Sequence, residues 1–188
     1  MLIGLVAAGV LVALAAAVGV AVLLKASSLK RRHRAFLGAP LPRLDEAAEA
    51  LVDAPRALYH GTRFADGARL FDAAWAEGCV ADLRCTAQAI FLKREAAGPA
   101  AGVTLVLPLA FIEDAALGRG HAELAGKELP MLKLRWRRGG EALETQLSLR
   151  GGMAQLEKLR REIHLRQGQG SALSALQKYL DAAPRPPA

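Results

Sequence analysis

The chain opens on a long uninterrupted apolar segment. From Leu2 to Leu24 there is no charged or strongly polar side chain. A helix of this length would extend about 34 Å, slightly more than the roughly 30 Å hydrocarbon core of a bilayer. We therefore expect residues 1–24 to form a transmembrane anchor that contacts the lipid bilayer.

A basic cluster follows the apolar segment directly. It consists of five residues with no acid among them, Lys25, Lys30, Arg31, Arg32 and Arg34. A signal peptide is the alternative, but its positive charge precedes the apolar core, whereas here it follows. Because basic flanks stay on the cytoplasmic side of a membrane, we expect a single-pass protein of the cell inner membrane with its soluble domain in the cytoplasm.

Beyond the cluster, short apolar runs separated by turn residues predict strands. Residues 25–56 are expected to be a basic flank and linker, with a short helix over 45–52 that has acids in its first turn. We predict strands at 58–64, 80–86, 89–94, 103–107 and 109–117, and a helix at about 68–77.

The clearest strand pair comes next. Residues 131–137 alternate between apolar and basic side chains, which is the pattern of a half-buried strand. A hairpin turn at 138–141 leads to a returning strand over 143–149. Met153, Leu156, Leu159 and Ile163 then recur at helical spacing and predict an amphipathic helix from 153 to 166.

The order of these elements predicts an α+β, mainly antiparallel β domain over residues 57–166. We expect about seven strands that form a barrel or sandwich closed by the C-terminal helix. Residues 167–188 are expected to contain a second, terminal helix at 172–181 and a Pro-rich tail.

Charge and cysteine content narrow the functional classes. The net charge is +7, and subtracting the five residues of the basic cluster leaves about +2, so we predict no nucleic-acid partner. Two cysteines, Cys79 and Cys85, fit a reducing compartment, and the sequence leaves open whether they pair. Their spacing is not that of a zinc site, even if His60 and His121 are considered as further ligands, so we predict no metal and no cofactor.

The element Tyr59-His60-Gly61-Thr62 lies on the first predicted strand. Together with the apolar segment, the basic flank, the inserted helix and the closing helix, it resembles bacterial membrane-anchored proteins with a PH-like domain. The resemblance implies a binding or scaffolding role without a catalytic centre. We therefore expect a non-enzymatic module at the cytoplasmic membrane surface that engages a protein partner, in an oligomeric state that the sequence leaves open.

Two alternatives accompany this prediction. The basic stripe Lys133, Arg135 and Arg137 is a possible anion or lipid contact, although alternation alone also predicts it as the solvated face of a strand. The run from Leu58 to Thr62 also resembles the first motif of ADP-ribosyltransferases, in which the His contacts the nicotinamide nucleotide. That family needs a second Tyr on a later strand, and the only other tyrosine, Tyr179, falls in the last predicted helix. We therefore predict no catalytic residue.

Overall fold

The computed structural model describes residues 2–95, 100, 102–122 and 125–182, with side chains described at 14, 16–95, 100, 102–122 and 125–169. The elements in chain order are α1 (Leu2–Gly38), β1 (Val52–Phe64), α2 (Ala73–Ala76), β2 (Cys79–Cys85), β3 (Ala89–Arg94), β4 (Thr104–Pro108), a 3-10 turn (Leu109–Phe111), β5 (Ile112–Ala122), β6 (Lys127–Arg138), β7 (Glu141–Ser148) and α3 (Gly152–Ala182).

The chain divides into two compact units. The first contains Met1–Ala39 and the turn Gly139–Glu141, and the second contains Pro40–Arg138 and Ala142–Ala188. Within the first unit, the Nε atom of Arg32 lies 2.7 Å from the Oε2 atom of Glu141. One residue of the basic cluster is thus engaged in an ion pair with a hairpin-turn carboxylate.

The expected transmembrane anchor is wrong. Among the described residues, no helix combines the length and the apolarity that crossing a membrane requires. The described side chains of α1 from Ala16 to Gly38 include the whole basic cluster, so this part of the helix is not apolar enough to span a membrane. This finding also contradicts the expected single-pass inner-membrane location with a cytoplasmic domain. Lipid contact through residues 1–24 concerns side chains that lie mostly outside the described part of the chain.

The second unit is built on one seven-stranded antiparallel sheet with the order β4-β3-β2-β1-β7-β6-β5. The seven strands and the C-terminal helix were predicted, but the closed barrel or sandwich was not correct. In the described residues the edge strand β4 pairs with β3 and the edge strand β5 pairs with β6, and these two edge strands do not pair with each other, so the sheet is open.

Several local predictions were wrong where tertiary pairing overrides propensity. The helix expected over 45–52 is absent, and Val52 to Ala54 instead pair with Leu83 to Cys85 of β2. The helix expected at 68–77 is shortened to Ala73–Ala76. Two C-terminal helices were expected, but α3 runs without a break through Gly168 and Gly170. A glycine inside a helix costs only about 1 kcal/mol relative to alanine, which a long helix tolerates.

One face of α3 completes the core. Its residues Leu156, Leu159 and Ile163 are fully buried, as their spacing predicted. The helix contacts β5, β6 and the 3-10 turn. Met153 was expected on the same face but is 41% exposed, because the helix begins just before it at Gly152.

The two cysteines lie at opposite ends of β2 and are both free thiols. They are six residue steps apart along the strand, a distance of roughly 20 Å that is far beyond the reach of a disulfide. Cys85 is fully buried. Burial raises the pKa of its thiol to about 12, with a smaller contribution from Glu162 in the same direction.

We expect the Cys85→Ala variant to lose less stability than wild type as the pH rises into the alkaline range. A raised folded-state pKa stabilises the protein below the thiol's ordinary pKa near 9, and this contribution disappears as the pH rises toward 12. The free energy of unfolding, measured in urea between pH 8 and 10.5, should therefore fall less steeply in the variant. Cys79→Ala is the control, because the Cys79 thiol is only partly buried and should have less influence on this slope. Parallel slopes in wild type and Cys85→Ala would contradict the assignment.

Candidate functional site

A bulge in β1 determines where the side chains of the Tyr59-His60-Gly61-Thr62 element point. Tyr59 pairs with Leu147 of β7 and Thr62 pairs with Thr145, so two residues of β1 lie opposite the single residue Gln146. The extra residue reverses the alternation of the strand. Tyr59 and Thr62, three positions apart, consequently both point into the core.

A directed chain of hydrogen bonds occupies the buried side of this bulge. The indole N–H of Trp136 donates to the Thr145 hydroxyl at 2.9 Å, and the Thr145 and Thr62 hydroxyl oxygens are 2.7 Å apart. The Thr62 and Tyr59 oxygens are also 2.7 Å apart, and the Tyr59 hydroxyl donates to the carbonyl oxygen of Trp75 at 2.5 Å. An indole N–H can only donate and a carbonyl can only accept, so each hydroxyl in between accepts one bond and donates the next.

These hydrogen bonds give Tyr59 a structural role. Burial raises the pKa of its phenol well above the usual value, although the hydrogen bond from Thr62 opposes the shift. The neutral phenol is therefore held in place between β1 and the carbonyl of Trp75 in α2. The rings of Trp75 and Trp136, which stand at the two ends of this series of hydrogen bonds, are also in contact, with centroids 5.6 Å apart.

The helix α2 is held against β1 by a second contact from the sheet. The guanidinium of Arg94, a buried residue of β3, donates to the carbonyl oxygens of Ala74 at 2.6 Å and Glu77 at 3.0 Å. These carbonyls belong to the end of a four-residue helix, where backbone acceptors lack helical partners. Arg94 thus secures the segment that follows β1.

Gly61 is required because this segment comes so close. Its backbone has φ +94°, and a Cβ atom there would lie 2.6 Å from the carbonyl oxygen of Ala76. A side chain would therefore meet both an unfavourable backbone conformation and a backbone atom that cannot move without displacing α2.

Gly61→Ala should lower the free energy of unfolding by more than the roughly 1–3 kcal/mol of a left-handed backbone position alone. Gly67→Ala is the matched control, because Gly67 has φ +84° and no heavy atom within 4 Å of the added Cβ. The difference between the two variants in urea denaturation measures the close approach to Ala76. Equal losses would contradict the importance of that contact.

His60 points to the other side of β1 and is bound to a serine. Its Nε2 atom lies 3.0 Å from the hydroxyl oxygen of Ser148, and that hydroxyl donates to the carbonyl oxygen of Pro130 at 2.8 Å. The hydroxyl proton of Ser148 is therefore already donated to Pro130, and the N–H of His60 donates to the serine oxygen. A nucleophile needs the opposite arrangement, with the base accepting the hydroxyl proton, and Ser148 is also only 3% exposed.

A cleft of about 620 Å³ lies beside His60. Its lining comes from β1, the hairpin after it, the end of α2, β5 and β7, and consists of His60, Arg63, Gly67, Arg69, Ala76, Glu77, Gly78, His121 and Gln146. This volume is in the usual range of ligand sites. We refer to it below as the β1 cleft.

Two arginines face each other in the β1 cleft. Arg63 and Arg69 are directly opposite in an antiparallel bridge. The backbone N–H of the adjacent Phe64 donates to the carbonyl oxygen of Ala68 at 3.0 Å. Because the hydrogen bond joins the neighbouring residues, the two arginines form a non-hydrogen-bonded pair. In such pairs the Cα atoms are only about 4.5 Å apart and the side chains lie on one face. Like charges in this position are destabilising.

Neither of these arginines forms an ion pair with a carboxylate of the described residues. In the described part of the chain, no Asp or Glu oxygen lies within 4.0 Å of the charged nitrogens of Arg63 or Arg69. Glu144 pairs with Arg63 across the strands, but its oxygens are directed to Gln146 at 2.8 Å and Arg135 at 4.0 Å. Counting Glu77, the lining carries 2 − 1 = +1 formal charge before any protonation of its histidines.

The basic stripe predicted from the sequence has a different environment. On β6, Arg137 forms an ion pair with Glu113 at 2.6 Å and Arg135 lies 4.0 Å from Glu144. Lys133 is half-buried, and the residues that alternate with the stripe, Leu132, Leu134 and Trp136, are fully buried as alternation predicted. Carboxylates therefore offset part of the charge of the stripe, whose role as an anion or lipid contact stays a prediction.

No metal-binding group of three or more His, Cys, Asp or Glu side chains occurs among the residues that the structure describes. Comparisons of the chain with protein-family models, curated proteins and solved structures found no match. The case for the β1 cleft therefore rests on its geometry.

Sequence reasoning selected His60 but missed Arg63, Arg69 and Gln146. Strict alternation places residues 60 and 63 on opposite faces of a strand, and only the bulge brings both to the cleft. A glycine inside a strand pattern was the available signal, since it often marks a bulge or a close backbone approach.

Arg69→Gln should raise the free energy of unfolding by about 0.2–1 kcal/mol, because it removes one of two opposed positive charges. The gain should shrink at high salt, where exposed charges are screened. Arg161→Gln is the control, since it removes the same charge from an exposed position on α3. Urea denaturation at low and high salt distinguishes the two variants. A loss of stability in Arg69→Gln would contradict the proposed repulsion.

Proposed function

We propose that the protein is a non-enzymatic binding module that engages a protein partner through the β1 cleft. The observation that carries this proposal is the opposed pair Arg63 and Arg69, which has no carboxylate partner among the described residues. Folding gains nothing from this arrangement, whereas an acidic group on a partner would gain two charge-assisted contacts.

The contacts of Tyr59, His60 and Gly61 support a binding role rather than transferase activity. In the ADP-ribosyltransferase resemblance, the glycine admits a ligand to the backbone and the histidine contacts it. Here the space at Gly61 is taken by the carbonyl of Ala76, and the Nε2 atom of His60 is bonded to Ser148. Tyr59 is buried in its hydrogen-bond chain.

The architecture supports the same role. β1 lies at the centre of the open sheet, and α3 packs against β5 and β6. One wall of the β1 cleft is fixed, because Tyr59 and Arg94 donate hydrogen bonds to backbone carbonyls of α2. A pre-formed recess of this kind favours recognition, because little ordering is needed on binding.

Affinity capture with the full-length protein tests this proposal. We expect at least one protein to be retained by wild type and by Arg161→Gln, and to be lost at least tenfold with the double variant Arg63→Gln/Arg69→Gln. Quantitative mass spectrometry after mild cross-linking gives the ratio. If no protein distinguishes the double variant from the Arg161→Gln control, the proposal is wrong.

The catalytic alternative has its own test. We expect no consumption of NAD by the purified full-length protein above the rate in buffer. Turnover that is measurable in wild type and abolished in His60→Ala would replace the binding proposal with the transferase.

A further inference from the structure

We infer that the group recognised in the β1 cleft is a phosphate monoester on a side chain of the partner protein. This inference rests on the proposed function and specifies its ligand. It starts from the two arginines that the bridge between Arg63 and Arg69 holds on one face of the hairpin.

The geometry of the arginine pair favours a phosphate over a carboxylate. Each guanidinium presents a planar fork of N–H donors. A carboxylate has two oxygens, and one such fork can engage both of them. A phosphate monoester has three terminal oxygens and can accept from two arginines at once. The opposed position of Arg63 and Arg69 supplies two adjacent forks.

The charge balance leads to the same ligand. A phosphate monoester carries about −1.5 to −2 charges near neutral pH, which matches the +2 of the two guanidinium groups. A single carboxylate would leave one of the two positive charges uncompensated. Glu77 also lines the cleft and would repel a segment that is acidic throughout. We therefore expect a phosphorylated residue whose neighbours are neutral or basic.

The size of the cleft indicates that the phosphate is attached to a larger molecule. At about 620 Å³ it is many times larger than a phosphate group alone. The remaining space is bordered by His60, His121 and the backbone of Gly78, which suit the polar backbone of a peptide. A recess between a sheet and an anchored helix also suits an extended segment better than a flat membrane surface.

Titration of the full-length protein provides the first test. Inorganic phosphate should raise the melting temperature of wild type and of Arg161→Gln, whereas acetate at the same ionic strength should not. Arg63→Gln/Arg69→Gln should melt higher than wild type without ligand and should not respond to phosphate. Arg63→Lys/Arg69→Lys keeps the charge but loses the forks, and should respond at least fivefold more weakly. An equal response to phosphate in the lysine and arginine proteins would overturn the fork argument.

Peptides distinguish the source of the phosphate. A degenerate peptide library centred on phosphoserine should bind at least tenfold more tightly than the same library with Glu or Ser at that position. Arg63→Gln/Arg69→Gln should abolish the difference, and Arg161→Gln should preserve it. Vesicles that contain phosphoinositides should not retain the protein through these arginines.

The outcomes separate this inference from the proposed function. Equal, arginine-dependent binding of the Glu and phosphoserine libraries would overturn the phosphate and leave the binding module intact. Failure of all libraries, with partner capture still dependent on the arginines, would do the same. Arginine-dependent flotation with phosphoinositide vesicles would assign the phosphate to a lipid and overturn the protein source. Failure of the libraries together with failure of partner capture would overturn both proposals.

Discussion

The bulge at His60 and Gly61 is the constraint on which the rest of the second unit depends. One extra residue in the central strand changes which side chains face the core and which face the cleft. Before the bulge, the strand directs Tyr59 inward, and after it Thr62 is inward again, so the two hydroxyls can meet at 2.7 Å. The same change brings His60 and Arg63 to one cleft. A regular strand would have provided neither arrangement.

The series of hydrogen bonds and the cleft therefore lie on opposite faces of the same bulged strand. On the buried side, four side chains transmit a single direction of donation from Trp136 to the carbonyl of Trp75. This fixes the segment that contains α2, and Arg94 fixes its other carbonyls from β3. On the outer side, that same segment forms a wall of the cleft. Because the wall is anchored by buried polar groups that would be costly to leave unpaired, the recess keeps its shape without a ligand.

Electrostatics distinguishes the cleft from the other basic regions of the chain. The cluster at the end of α1 includes an ion pair between Arg32 and Glu141, and the stripe on β6 is offset by Glu113 and Glu144. Arg63 and Arg69 instead face each other, and the nearest cross-strand acid is directed elsewhere. A local arrangement that costs stability and is pre-organised toward an anion is a stronger functional indication than net charge. The value of +7 gave no hint of this location.

The sequence by itself determined the elements whose side chains repeat with a simple period. Alternation identified β6 and β7 and their buried faces, and helical spacing identified the face of α3 that covers the sheet. Only the tertiary structure decided the open edges of the sheet, the absence of the helix expected at 45–52, and the continuation of α1 from the apolar segment through the basic cluster as one helix. It also decided the cleft, because a bulge depends on how two strands align rather than on either strand alone. Periodicity reports what one segment prefers, whereas register and ion pairing are properties of residues that are distant in the sequence.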